Sequence, residues 1–303
     1  MVASWWKALL LQALTGSLFG AAERPDVRRR IVKVSQVEQL PITYCITFVQ
    51  RSGSNFFCEA LSRTGVAGRP TEYFMPYFPG SKELGVELAG FEESIWARER
   101  GVSSFQRFLD VVLEESRTPN GVSGVKLPWN AVEATLQKIS ELPDYLGLSG
   151  AELLDGVFDR PRFIHLERRD RVRQAVSWAL AGQTGHYSSS QVASQSALKE
   201  PSFDIEFLDG LYRLIGESQT GWSEFFQHHQ LEPLRLYYED IAADLEGSTR
   251  EVLAWLGIPA PKSFDLSNLS FQPQSTHLNE EWAERFRSLR PETQSELSGR
   301  GHS

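Results

Sequence analysis

Four short apolar runs, each followed by a helical pattern, dominate the hydrophobic profile of the chain. The apolar runs lie at residues 42–49, 122–127, 162–166 and 234–238. They are rich in β-branched and aromatic residues, as buried parallel strands are. Helical patterns follow at residues 56–64, 130–142, 170–184 and 244–256, with a longer one at 205–229. This alternation predicts an α/β fold with a parallel sheet flanked by helices on both faces.

The pattern also divides the chain. Residues 1–40 are expected to form an N-terminal appendage, and residues 41–303 a single domain. Within the appendage, residues 4–18 are predicted to form an amphipathic helix, and a targeting or membrane-surface role is the alternative. Residues 75–99 are expected to form a loop-rich insertion near the site, with a lid as one role, and the polar stretch 188–202 is expected either to be mobile or to contact the acceptor.

The net charge limits which ligands the surface can attract, and the cysteine content indicates the redox compartment. The net charge is −8, so the surface as a whole will not attract nucleic acid or an anionic membrane. An anionic ligand must therefore meet a local cluster of positive groups. The two cysteines, Cys45 and Cys58, lie in apolar runs and are expected to be small core residues in a reducing, cytoplasmic compartment, with a disulfide as the alternative.

A short glycine- and serine-containing loop follows the first apolar run. It consists of Arg51, Ser52, Gly53, Ser54 and Asn55, and a helical pattern begins directly after it. Backbone N–H groups converge at such a helix start, the helix dipole adds partial positive charge, and arginine supplies a full one. The lysine of an ATP-binding loop is missing, so the loop is predicted to bind phosphate-like oxygens without ATP hydrolysis. A simple turn with a helix cap is the alternative.

A second arginine-containing junction follows the third apolar run. Arg168 lies at the end of the run, and Ser177 lies in the helical pattern that follows. Because carboxyl ends of parallel strands share one edge of a sheet, both junctions are expected at the same edge. Two such sites would suit a nucleotide with two separated anionic ends. Surface ion pairing of these arginines is the alternative.

Ordered blocks along the chain resemble a known family. They are QRSGS at 50–54, TGVAGRPTEYF at 64–74, GVKLPWN at 124–130 and RRDRVRQAVS at 168–177, with weaker echoes at Gln274 and at EWAERF, 281–286. Together they resemble the bacterial trehalose 2-sulfotransferase family. The resemblance runs from about residue 44 to residue 287 and does not include residues 1–40.

The resemblance implies a P-loop-like sulfotransferase fold, with 3′-phosphoadenosine-5′-phosphosulfate (PAPS) as sulfuryl donor. No metal is expected, because the six His residues do not combine with Cys or carboxylates at ligand spacing. By position, the loop from Arg51 to Asn55 would hold the 5′-phosphosulfate, and Arg168 with Ser177 the 3′-phosphate. Glu72 matches the proposed general base, and Lys126 would approach the sulfuryl group. The acceptor would be a hydroxyl of a sugar or glycolipid, and the family suggests a homodimer.

Two departures from the family pattern bear on substrates. Asn55 replaces a hydroxyl residue, and Arg69 stands where the trehalose-specific enzyme has an acidic residue. Since arginine only donates hydrogen bonds, trehalose is doubtful and an acidic sugar becomes plausible as acceptor. Tyr73 and Trp129 adjoin the motifs and are the candidate walls of an acceptor site.

Alternatives to these assignments remain open. An ion pair between Glu72 and Arg69 is the alternative to the base role, and His186 is a fallback base. At the level of function, a phosphoryl transferase or a degenerate nucleotide-binding module competes with the sulfotransferase.

Overall fold

The computed structural model describes residues 42–74, 101–184, 200–270 and 277–294. Its centre is a sheet of four parallel strands in the order β2-β1-β3-β4. The strands are β1 (Thr43–Phe48), β2 (Ser123–Pro128), β3 (Arg162–Glu167) and β4 (Leu234–Tyr237). Each begins and ends within one residue of a predicted apolar run, which confirms the predicted sheet.

Nine α-helices accompany the strands in the described ranges. They are α1 (Ser54–Arg63), α2 (Phe105–Glu115), α3 (Trp129–Ser140), α4 (Ala151–Phe158), α5 (Arg171–Thr184), α6 (Ile205–His228), α7 (Tyr238–Ala243), α8 (Leu245–Leu256) and α9 (His277–Leu289). The helical pattern predicted α1, α3, α5, α6 and α8. It did not predict α2, α4, α7 and α9.

Two apolar cores cover the two faces of the sheet. On β1, Tyr44, Ile46 and Phe48 pack with α1, α7 and α8 in one core. The intervening Cys45 belongs to the other core, which contains residues of the remaining helices. Because side chains of a strand alternate between faces, β1 buries both, as a central parallel strand must. The α/β fold with helices on both faces is therefore confirmed.

The strand order creates a topological switch point between β1 and β3. From β1 the chain passes outward to β2, then crosses back to β3 on the other side of β1. In open parallel sheets a ligand crevice forms at the carboxyl ends of the two strands where the direction of winding reverses. The loops after β1 and β3 are therefore the expected walls of a site.

Some sequence-based expectations lie outside the described residues. These are the appendage 1–40, the stretch 75–99 and most of 188–202, so the division at residue 40 stays a prediction. Among the residues that are described, no helix is long and apolar enough to cross a membrane.

Cys45 and Cys58 are both buried and free, which confirms that they are core residues and not a disulfide pair.

Candidate active site

The loop between β1 and α1 leaves the start of α1 open to an anion. Gly53 is the N-cap residue, with a φ of +81°, and no side chain of the described residues caps the first N–H groups. The hydroxyl of Ser52 is buried and has no hydrogen-bond partner among the described residues. Uncapped N–H groups, the helix dipole and a buried unused hydroxyl together suit a phosphate-like ligand.

Side chains from distant elements hold this loop from beneath. Gln174 of α5, which is fully buried, donates from Nε2 to the carbonyl oxygen of Gln50 at 2.7 Å. Trp222 of α6 donates from Nε1 to the carbonyl oxygen of Phe48 at 3.2 Å. These contacts fix the backbone on either side of the turn. Sequence reasoning missed both residues.

Arg51 connects the two predicted arginine clusters. Its φ of +65° is in the left-handed region, which only a few per cent of non-glycine residues adopt. Its Nε donates to the Oγ of Ser177 on α5 at 3.0 Å, and Arg168 donates from Nη1 to the Arg51 carbonyl oxygen at 3.4 Å. The structure thus brings together Arg51, Arg168 and Ser177 as one cluster at the switch point.

Arg168 is half-buried and only partly engaged by protein groups. Its guanidinium lies 4.7 Å from the ring centroid of Tyr238, and its Nε has no hydrogen-bond partner in the described part of the chain. Burial lowers the pKa of Arg168 from its ordinary value, although arginine stays charged at neutral pH. A half-buried cation with an unused buried donor suits an anionic ligand.

The amino end of α5, unlike that of α1, is already occupied. The Oδ1 of Asp170 accepts from the Arg173 N–H at 3.0 Å, as an N-cap does. The carboxylate of Glu239 accepts from the N–H groups of Arg169 and Asp170 at 3.1 and 3.3 Å. These three N–H groups are therefore already occupied, so an anion here would be bound mainly by side chains such as Arg168 and Ser177.

Glu72, Lys126 and Asn55 meet at the edge of the loop. Lys126 is only 1% exposed and donates to the Oε1 of Glu72 at 2.8 Å. The same ammonium also donates to the Oδ1 of Asn55 in the first turn of α1. Glu72 is 33% exposed, so its carboxylate is accessible from solvent. The partner of Glu72 is therefore Lys126 and not Arg69.

The backbone of residues 68–71, here called the strap, runs beside β2 and positions Glu72. The Lys126 N–H donates to the Thr71 carbonyl oxygen at 3.1 Å, and the Arg69 N–H donates to the Ser116 carbonyl oxygen at 2.7 Å. Gly68 has a φ of +74°, and a Cβ there would lie 2.6 Å from the Gly124 backbone nitrogen. Only glycine allows this close approach, which carries the chain to Glu72 beside Lys126.

The three candidate acceptor-site residues differ in exposure. Arg69 is exposed, and no ion pair to it is found among the described residues. Trp129 is half-buried and packs edge-on against Trp222 with ring centroids 5.1 Å apart. Tyr73 is 5% exposed and donates its hydroxyl proton to the Arg69 carbonyl oxygen, so its ring lies in the core and not on an accessible wall.

Other candidate groups add no metal chemistry in the described ranges. No cluster of three or more His, Cys, Asp or Glu residues suited to a metal ion is found there. Gln274 and the fallback base His186 lie outside the described residues.

An open anion loop, a neighbouring arginine cluster and an accessible carboxylate define an α/β transferase-like site. The sequence matches the family model of the Stf0 sulphotransferases over residues 43–289. The chain therefore belongs to the Stf0 sulphotransferase family, which makes it a transferase.

Two curated relatives are both trehalose 2-sulfotransferases. The protein of Mycolicibacterium smegmatis is 30% identical over 271 residues, covering 82% of this chain and 95% of the relative. That of Mycobacterium tuberculosis is 27% identical over 265 residues, with the same coverage. A solved sulfotransferase domain from the Synechococcus PCC 7002 olefin synthase has a TM-score of 0.45 and 15% identity, covering 89% of this chain and 99% of that domain.

Proposed function

We propose that this protein transfers a sulfuryl group from PAPS to a hydroxyl of a carbohydrate or glycolipid. The observation that carries the proposal is the uncapped start of α1 beside Arg168, with the carboxylate of Glu72 held next to it through Lys126. Membership in the Stf0 sulphotransferase family supports it.

The donor has two anionic ends, and the described residues fit both. The loop from Arg51 to Asn55 would take the 5′-phosphosulfate, using the open N–H groups and the unused hydroxyl of Ser52. Arg168, with its unused Nε, and Ser177 would take the 3′-phosphate. The contact of Arg51 with Ser177 joins these two subsites, so one nucleotide could span them.

In the proposed reaction Glu72 accepts the proton of the acceptor hydroxyl. The hydroxyl oxygen forms a bond to sulfur while the bond from sulfur to the bridging phosphate oxygen breaks, and that oxygen keeps the electron pair. Negative charge therefore grows on the departing 5′-phosphate, where Lys126, Arg51 and the α1 N–H groups stabilise it. No further co-reactant is needed, because the proton moves from the acceptor to the carboxylate.

The acceptor is proposed to be a sugar hydroxyl, since both curated relatives are named for trehalose. Arg69 argues for a sugar that also carries an anion. Its guanidinium is exposed and has only donors to offer, so a carboxylate or phosphate on the acceptor would be its natural partner. Trp129 remains the candidate aromatic wall.

A cytoplasmic location is also proposed, because two free buried thiols suit a reducing compartment. A homodimer, and contact of residues 1–40 with a membrane surface, stay predictions from the sequence.

The test is transfer of radiolabelled sulfate from PAPS to a panel of neutral and acidic sugars, including trehalose and a glucuronide. Transfer to at least one sugar is expected, and Glu72→Gln should lower the rate by roughly 10²- to 10⁴-fold. Glu133→Gln, which changes an exposed carboxylate on α3, is the matched control and should leave the rate unchanged. Donor binding without transfer to any sugar would favour a degenerate binding module.

A further inference from the structure

Lys126 places one buried positive charge between the proposed base and the anion loop. Its ammonium is bonded to Glu72 on one side and to Asn55 on the other. Asn55 lies in the first turn of α1, where the N–H groups are uncapped. The ammonium is almost fully buried, and the ring centroid of Phe48 lies 4.8 Å from it. Such a charge is poorly screened by solvent, so any anion on the loop will interact with it strongly.

An ammonium has three N–H donors but carries only one charge. In the structure that charge is neutralised by the carboxylate of Glu72 at 2.8 Å. A phosphosulfate on the loop would add a second negative group that needs the same neutralisation. Since burying unbalanced charge is costly, the two anions compete for Lys126, even though Arg51 and the α1 N–H groups also face the donor.

We propose that Lys126 is a cation shared by Glu72 and the donor. Donor binding would thereby free the Glu72 carboxylate to accept the proton of the acceptor hydroxyl. Without the donor, the ammonium neutralises Glu72 and holds the carboxylate in place. With the donor bound, the Lys126 ammonium forms its ion pair with the phosphosulfate instead. The Glu72 carboxylate is then free to take the proton of the acceptor hydroxyl. Lys126 is thus a positioning residue for the base as well as a ligand of the donor. The inference rests on the proposed function, because it assumes that the loop binds the donor.

The backbone around the pair supports a change confined to side chains. The Lys126 N–H is bonded to the Thr71 carbonyl oxygen, and that contact fixes the residue directly before Glu72. Asn55 is fixed by α1 itself. The backbone of the strap and of α1 can therefore stay in place while the Lys126 ammonium changes from one ion-pair partner to the other.

A double-mutant cycle on binding of 3′-phosphoadenosine-5′-phosphate (PAP), the spent donor, tests the inference. Calorimetric titration would use wild type, Glu72→Gln, Lys126→Met and the double variant. Glu72→Gln should tighten PAP binding by about 5-fold, because a neutral amide no longer competes for the ammonium. Lys126→Met should weaken binding by roughly 10- to 100-fold. In the Lys126→Met background, Glu72→Gln should change the affinity by less than about 1.5-fold.

Two results would overturn the inference. No change with Glu72→Gln would show that the carboxylate and the donor do not share the cation. An equal tightening in both backgrounds would show simple repulsion between Glu72 and the anion, without Lys126 as intermediary. Glu59→Gln, which neutralises another carboxylate of α1, is the matched control and should leave the affinity unchanged.

The outcomes also separate this inference from the proposed function. Binding of PAP by the wild type with an additive cycle would defeat the shared cation alone. Absence of PAP binding by the folded wild type would defeat both. If Lys126→Met fails to fold, as judged by thermal unfolding, Lys126→Gln removes the same charge while keeping a polar side chain, and the cycle is repeated with it.

Discussion

The loops after β1 and β3 have similar sequences of elements but differ in how the start of the following helix is capped. Each follows a strand at the switch point, and each carries an arginine before a helix. At α1 the N-cap is a glycine with no side-chain bond, so the helix start is open. At α5 the start is closed by Asp170 and by Glu239 from α7.

The difference teaches what each loop can contribute to a doubly anionic ligand. The first loop offers backbone N–H groups, whose placement depends on the conformation of Gly53. The second has three of its N–H groups already occupied and offers mainly side chains, chiefly the guanidinium of Arg168. Binding at the first loop should therefore be sensitive to backbone geometry, and binding at the second to the removal of charge.

The largest effect is expected from Gly53→Ala. A Cβ at this position would lie 2.3 Å from the Cδ2 of Tyr238, and the φ of +81° disfavours any L side chain. The loop should shift, lowering the affinity for PAP by at least about 100-fold and the stability by about 1–3 kcal/mol. Titration calorimetry and thermal unfolding measure the two effects.

Gly65→Ala is the matched control for Gly53→Ala. Gly65 also has a positive φ, of +70°, but a Cβ there would meet nothing within 4 Å. We expect a stability loss of about 1 kcal/mol from backbone strain and unchanged PAP affinity. Equal affinities for PAP in the two variants would contradict the role assigned to the Gly53 turn.

The second prediction separates Arg168 from its neighbour Arg169. Arg168→Ala should weaken PAP binding by roughly 10- to 100-fold, the value of a hydrogen bond between charged groups. Arg169 already makes two bonds to Asp240, at 2.7 and 2.6 Å, so Arg169→Ala should change the affinity by less than about 3-fold. A larger loss of affinity with Arg169→Ala than with Arg168→Ala would indicate that Arg169, and not Arg168, binds the 3′-phosphate.

Glu239→Gln tests whether the closed start of α5 is structural. Glutamine has one side-chain acceptor where the carboxylate has two, so one of the two N–H bonds is lost. Stability should fall by about 1–2 kcal/mol, seen as a lower melting temperature, while PAP affinity stays within about 3-fold. A clear gain in affinity would instead indicate that phosphate takes the vacated N–H groups.

The smallest effect concerns the thiols in β1 and α1. Burial raises the pKa of Cys58 to about 12, an effect that the charge of Lys126 partly opposes, and burial also raises that of Cys45. Above their ordinary value of 9.0, unfolded thiols lose protons that the folded protein retains. Stability should therefore fall as the pH rises above 9, and should be lower at pH 10 than at pH 8.

Urea unfolding of the wild type and of Cys58→Ala at these two pH values isolates the contribution of that thiol. The variant should lose less stability than the wild type between pH 8 and pH 10. Equal losses would show that Cys58 does not link folding to pH.

Sequence reasoning was most accurate where the chemistry is local. The strands are continuous apolar runs, and the loop from Arg51 to Asn55 is one contiguous segment. It failed where partners are distant in the chain: Gln174, Trp222 and Glu239 support the two loops from other elements. For Glu72 the nearby Arg69 suggested an ion pair, whereas the fold supplies Lys126 from β2.

Two of the four unpredicted helices, α4 and α7, have physical explanations. Helix α7 follows directly on β4, and Tyr238 at its start reads as a continuation of the apolar run. Helix α4 has only eight residues and contains Gly156, which weakens its helical pattern. Such short helices gain most of their stability from packing against the rest of the fold.

The most direct test of the account is calorimetric titration of the wild type with PAP and with AMP, which lacks the 3′-phosphate. The two-loop site predicts micromolar binding of PAP and binding of AMP weaker by roughly 10- to 100-fold, since Arg168 and Ser177 would have no ligand. Equal affinity for the two nucleotides, or no binding of PAP, would contradict the account.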